Sequence, residues 1–118
     1  MSEHDVERQI RDYLRIALPD EVVCYHVPNG AQLGARQLWQ MRAAGMVAGI
    51  PDRCFVWQGR AYFAEVKGPR GRLSPAQVEM HERLRRAGCP VVVVRSVEEL
   101  EAALIEWGLP LRTRMLGL

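Results

Sequence analysis

Val6, Ile10, Tyr13, Leu14 and Ala17 recur at the spacing of one helical face, with charged residues between them. Glu3 to about Ala17 is therefore expected to form an amphipathic helix that stops short of Pro19. The pattern then changes to a Val- and aromatic-rich run, Glu21 to Val27, which ends in Pro28-Asn29-Gly30 and predicts a strand followed by a turn. Gly34 to Ala44 holds good helix formers, with Gly45 placed to close them. Two β-rich runs follow, Arg53 to Gln58 and Ala61 to Val66, separated by Gly59-Arg60, a pair suited to a type II′ hairpin turn. Beyond a basic loop from Gly68 to Arg72, Ser74-Pro75-Ala76-Gln77 spells a capping box with proline at the first helical position, and Leu73 and Val78 are placed for a hydrophobic staple. That helix should reach about Ala87, end at Gly88 and bury Met80, Leu84 and Ala87. Pro90 to Val94 reads as a strand buried on both faces. Ser96-x-x-Glu99 is a second capping box, opening a helix to about Trp107 that Gly108 and Pro110 terminate. The order is helix, strand, short helix, hairpin, helix, strand, helix, which predicts an α/β layer arrangement with a mixed sheet.

The hairpin places chemistry as well as structure. With Gly59 and Arg60 as the turn, Cys54 would lie opposite Glu65, and Asp52 opposite Lys67. Opposed residues share a face, and so do Glu65 and Lys67 by the two-residue period of a strand, so Asp52, Glu65 and Lys67 converge. A register slip of two residues keeps that parity, and a slip of one destroys it. Three charges at one end of a hairpin built from Phe55, Val56, Phe63, Ala64 and Val66 are costly unless they are paired or bind something. Two close carboxylates suit a hard divalent cation such as Mg²⁺, and an adjacent lysine can act on water or on a phosphate. Taken alone, Glu-x-Lys fits equally well a buried ion pair of Lys67 with Asp52 or Glu65.

Composition narrows the class. At 118 residues, with 48% hydrophobic and 25% charged residues, the chain is the size of one domain, residues 1–118, and too apolar to be disordered. Without a membrane-length apolar run or a signal-peptide pattern at Met1 to Asp5, a cytoplasmic protein is expected, and no membrane partner. Cys24, Cys54 and Cys89 are odd in number and never in a C-x-x-C pair, which argues for small buried hydrophobes rather than disulfides or zinc ligands. The charge of +2 only mildly favours an anionic partner. Arginines in predicted loops and helix ends, Arg36, Arg42, Arg60, Arg70 and Arg72, suit phosphate, though each reads equally as a solvated charge.

The ordered set Gly49-Ile50-Pro51-Asp52, Glu65-Val66-Lys67, Leu73-Ser74-Pro75-Ala76-Gln77, His81, Leu84 and Gly88 with its valine strand resembles the virus-type replication-repair (VRR) nuclease family of the PD-(D/E)xK superfamily. Val27-Pro28-Asn29-Gly30 is similar to its stand-alone, phage-associated members, so a bacterial or phage-encoded protein is expected. The resemblance implies a restriction-endonuclease-like αβββαβ core and Mg²⁺ or Mn²⁺ held by Asp52, Glu65 and the backbone carbonyl of Val66. It adds Glu7 on the first helix to the metal set, although a carboxylate near a helix start is as readily explained by the helix dipole. Lys67 and Gln77 are carried over as catalytic residues, Gln77 contacting the attacking water or the phosphate while also serving its capping box. His81, one turn later, reads as a satisfied core histidine and is left out of the metal set. Asn29, Gly30, Arg36, Arg70 and Arg72 are the candidate DNA contacts.

The function so implied is a metal-dependent deoxyribonuclease acting as a homodimer on branched or flapped DNA in replication, repair or recombination. A Holliday-junction-resolvase-like or restriction-type endonuclease shares the same core chemistry, but no separate recognition domain is apparent. A noncatalytic DNA-binding module would have no reason to keep Asp52, Glu65, Lys67 and Gln77 together.

Overall fold

A computed structural model of the chain describes residues 1–28 and 33–115. Asn29 and Gly30 lie outside them. Helix α1 spans Glu3–Ala17, capped by Ser2, whose hydroxyl accepts from Asp5 N–H while the Asp5 carboxylate accepts from Ser2 N–H. Strand β1 is Val23–His26, shorter than the Glu21 to Val27 expected, because a turn in which Val22 N–H bonds to Pro19 C=O occupies the preceding residues. Then come α2 (Ala35–Ala43), β2 (Arg53–Trp57), β3 (Arg60–Val66), α3 (Pro75–Arg86), β4 (Val91–Val94) and α4 (Val97–Glu106).

The four strands form one sheet in the order β1-β2-β3-β4, antiparallel except that β4 runs parallel to β3. This is the restriction-endonuclease-like arrangement expected, with the hairpin turn displaced. Trp57 pairs with Arg60, so the turn residues are Gln58 and Gly59, both with positive φ (48° and 75°). That is a type I′ turn, whose twist matches the flanking strands; the expected Gly59-Arg60 turn would have shifted the pairing by two residues. Continuing the observed register sets Asp52 opposite Glu65. The parity survives, and with it the convergence of the charged residues.

One face of the sheet carries Phe55, Tyr62, Ala64, Val66 and Val94, all buried with Val6, Ile10, Leu14 and Ala17 of α1 and Leu100 and Leu104 of α4 in a single core. Trp107 closes it, its ring against Tyr62 (5.2 Å) and Phe55 (6.4 Å). The opposite face, with Cys54, Phe63 and Glu65, is covered by α3, whose buried residues are Met80 and His81; Leu84 is half-buried and Ala87 exposed, against expectation. Likewise only Val94 of β4 is fully buried, because β4 lies at the edge of the sheet rather than within it. The box at Ser96 is half made: Ser96 accepts from Glu99 N–H, but the Glu99 carboxylate accepts from Arg95 N–H. Val78 is largely exposed, so no buried staple partner for Leu73 is formed there. The three cysteines are free.

Candidate active site

Three segments bring acidic side chains to one end of the β2–β3 hairpin. Asp52 stands immediately before β2, at the close of Gly49-Ile50-Pro51. Gly49 adopts φ +81°, and a β-carbon there would sit 2.2 Å from the carbonyl oxygen of Ala76, so this segment is threaded against the first turn of α3. Pro51 is buried, and Asp52 is aimed inward, where its Oδ2 accepts a 2.7 Å hydrogen bond from Val66 N–H. The last turn of β3 thus holds the Asp52 carboxylate in place.

Glu65, one residue earlier, is 1% exposed. Burial pushes its carboxyl well above the usual range, and a hydrogen bond to Asp52 and the repulsion of that neighbouring acid push it further, against a smaller pull from Lys67. Its Oε1 lies 3.1 Å from His81 Nε2. Burial, followed by the nearby Arg85 and Lys67 charges, drives the His81 imidazole down, which favours its neutral form and a hydrogen bond over an ion pair. His81 was assigned to the core from sequence. It is buried, but its partner is a candidate metal ligand, and the signal available was its position four residues after Gln77, on the same helical face.

Glu7 reaches the same place from α1. Its carboxyl is raised by burial first and then by Asp52, and its Oε1 is buried without a hydrogen-bond partner among the described residues. A contrasting acid shows what a structural role looks like. Glu101, fully buried on the far side of the core, accepts from Tyr13 O–H at 2.6 Å and Met115 N–H at 2.8 Å. Two donors meet Glu101; in the Asp52 cluster the acids also oppose one another, and Glu7 and Glu65 are both raised by Asp52. Such crowding is costly in a fold that has no use for it, and it is what a cation would relieve. The oxygen donors of Glu7, Asp52 and Glu65 fit a hard divalent ion in kind. Among the described residues no three ligand-type side chains stand together at metal-holding spacing, and Glu65 is turned toward His81.

Lys67 is half-buried at the mouth of this cluster, its stem packed beside Gly71. Gln77 is engaged in its capping box: its Oε1 accepts from Ser74 N–H at 2.9 Å, and its own N–H donates to Ser74 Oγ at 3.1 Å. Its backbone adjoins Gly49, which places the box against the segment that delivers Asp52. The candidate DNA contacts are more scattered. Arg70 and Arg72 are exposed on the loop after Lys67, and Arg36 is exposed on α2.

A four-stranded mixed sheet with buried acids at one end of its central hairpin defines the nuclease-type hydrolase folds built on a Pro-Asp and Glu-x-Lys pair. The model of the VRR-NUC domain family matches residues 5–98, and the chain belongs to that family. It is similar to a solved "VRR_NUC domain protein" at 21% identity and a TM-score of 0.64, covering 91% of this chain and 88% of that one. A solved "VRR_NUC domain" is similar at 21% identity and a TM-score of 0.55, covering 88% and 94%. No curated protein matches the chain. No helix among the described residues is long and apolar enough to cross a membrane.

Proposed function

We propose that this chain is a divalent-metal-dependent deoxyribonuclease that hydrolyses phosphodiester bonds at the Asp52 cluster. The observation that carries the reading is the Glu7 Oε1 atom, buried and without a hydrogen-bond partner among the described residues, beside two buried acids, Asp52 and Glu65. Glu7, Asp52, Glu65 and the carbonyl of Val66 would hold Mg²⁺ or Mn²⁺, with Glu65 turning from His81 to do so. When bound, the ion supplies a Lewis acid for the phosphoryl oxygens and lowers the pKa of the attacking water. The chain's own groups do the positioning. Val66 N–H fixes Asp52, His81 Nε2 holds Glu65 until the ion arrives, and Lys67 Nζ sets a positive charge beside the phosphate oxygens. Hydrolysis adds the hydroxyl of water to phosphorus and its proton to the leaving oxygen. Action on branched or flapped DNA, as a homodimer, follows from the resemblance to the stand-alone members.

Cleavage of a panel of branched, flapped, single-stranded and duplex DNAs should require Mg²⁺ or Mn²⁺ and stop with chelator, while Ca²⁺ binds with little turnover. Either activating ion should also raise the melting temperature, because relief of crowding among the acids stabilises the folded state alone. Cleavage that survives exhaustive chelation overturns the reading.

Gln77→Glu separates the two roles of that side chain. A carboxylate completes the capping box as well as an amide does, so stability should change by no more than about 1 kcal/mol. The added negative charge beside the phosphate site should slow cleavage or change the preferred metal. Melts and cleavage rates on one preparation decide it, and an unchanged pair confines Gln77 to capping.

A further inference from the structure

A groove of ≈ 480 Å³ runs between the C-terminal half of α1 and the β1 edge of the sheet. We propose that this groove, lined by Arg11, Arg15, Arg53 and Arg112, carries the sugar-phosphate backbone of a DNA strand that leads to the Asp52 cluster. The inference rests on the nuclease reading above and gives that site a substrate track.

Its inner end is set by the chain itself. Arg53 and Asp52 are consecutive and point to opposite faces of the sheet, but the Arg53 charge is felt at Glu7, which joins the groove to the acids from α1. Glu7, Arg11 and Arg15 then stand on successive turns of α1, so the line from the acid to the last arginine covers about 12 Å at about 1.5 Å per residue. Measured along the duplex axis a strand places a phosphate about every 3.4 Å, so the line is long enough to meet more than one of them. Arg112 completes the outer end, where its N–H bonds to Ala17 C=O at 2.7 Å and pins the segment after α4 beside the end of α1. The floor is apolar, formed by Leu14, Leu18 and Val22.

The arginines here are also engaged differently from the three that brace the fold. Arg60, Arg85 and Arg95 donate to the carbonyls of Gly88, Val91 and Gly68, bonds that tie the fold together. In the groove, Arg15 has no hydrogen bond or ion pair among the described residues. Arg11 and Arg112 meet only exposed carboxylates, Asp12 at 3.3 Å and Asp20 at 3.2 Å. Exposed pairs of this kind contribute little, and a phosphate can displace the acid at small cost. Guanidinium forks over an apolar floor suit a chain of phosphates. An acidic peptide would satisfy the same charges, but a track that starts at phosphodiester-cutting acids favours the nucleic acid.

The test compares the double variant Arg11→Gln/Arg15→Gln with Arg83→Gln/Arg86→Gln, an equal loss of charge on exposed positions at the end of α3. Binding of labelled DNA is followed by anisotropy across a salt series in the presence of chelator, so that it does not depend on turnover. The groove variant should bind about tenfold more weakly, with the slope of log K against log salt reduced by about 1.8, that is 0.9 for each lost contact. The α3 variant should bind as the parent does. Arg11→Lys/Arg15→Lys, which keeps the charge, should recover most of the affinity, which excludes misfolding as the cause. An unchanged slope in the groove variant, an equal loss in both variants, or a loss confined to a polyglutamate peptide overturns the track. A parent chain that binds DNA through the groove yet cleaves none of it overturns the nuclease reading instead.

Discussion

Asp52→Asn should fold, melt at or above the temperature of the parent chain, and cleave DNA at least about a thousandfold more slowly. The two halves of that expectation come from one geometry. Asparagine keeps the oxygen that accepts from Val66 N–H, so the 2.7 Å bond that anchors this position is retained. Its amide then faces Glu65, where it donates to a carboxyl that now sits 1% exposed beside another acid. Two acids that must share a proton become an acid beside an amide donor, and the buried pair becomes easier to hold, by up to about 1 kcal/mol. The same change removes a charged ligand from the metal set and should abolish the melting increment produced by Mg²⁺ or Mn²⁺. A stability gain with a loss of function is the signature of a strained site. Melts with and without metal, beside cleavage rates, check it. Cleavage within about tenfold of the parent would make Asp52 a structural residue whose task is to hold Val66.

What the chain reveals before folding, and what it conceals, divides along the range of the interactions. The α1 stripe, the Ser74–Gln77 box and the stops at Gly45, Gly88 and Gly108 are local, written in residues within a turn of each other, and the structure has them. The convergence of Asp52, Glu65 and Lys67 was readable because strand parity tolerates a slip of two, and that slip occurred. The hairpin turn itself was misplaced, since it required Gln58 to enter the left-handed region, a conformation that a glycine at the same place would have announced. The edge position of β4, the rotation of α3 that buries His81 instead of Ala87, and the groove along α1 all depend on which elements become neighbours. A valine run states that it wants cover; it does not state on how many sides. His81 shows the difference most clearly, because its burial was expected from the helix pattern and its partner, Glu65, is supplied by a different element.

Gly49→Ala should be the most damaging single-methyl addition along the route to the site. Its φ of +81° already costs an L-residue about 1–2 kcal/mol. The new β-carbon would in addition stand 2.2 Å from the carbonyl oxygen of Ala76, 2.6 Å from its carbon and 3.0 Å from Gln77 N, all backbone atoms of the first turn of α3 that cannot rotate aside. Forcing that contact apart adds about 1–3 kcal/mol, for a total of roughly 2–5 kcal/mol. In a chain of this length the melting temperature should fall by about 10 °C or more. Gly88→Ala, at the other end of the same helix, separates the two contributions: its φ is +91°, with nothing within 4 Å of the added carbon. It should lose only the conformational part, about 1–2 kcal/mol, and cleave as the parent does. Gly49→Ala, by contrast, must either push the start of α3 outward or displace Pro51 and Asp52, so at a temperature where it remains folded it should still cleave more slowly. Equal melting temperatures and equal rates for the two variants would show that the Gly49 segment yields freely, and that the close approach to α3 does not hold Asp52 in place.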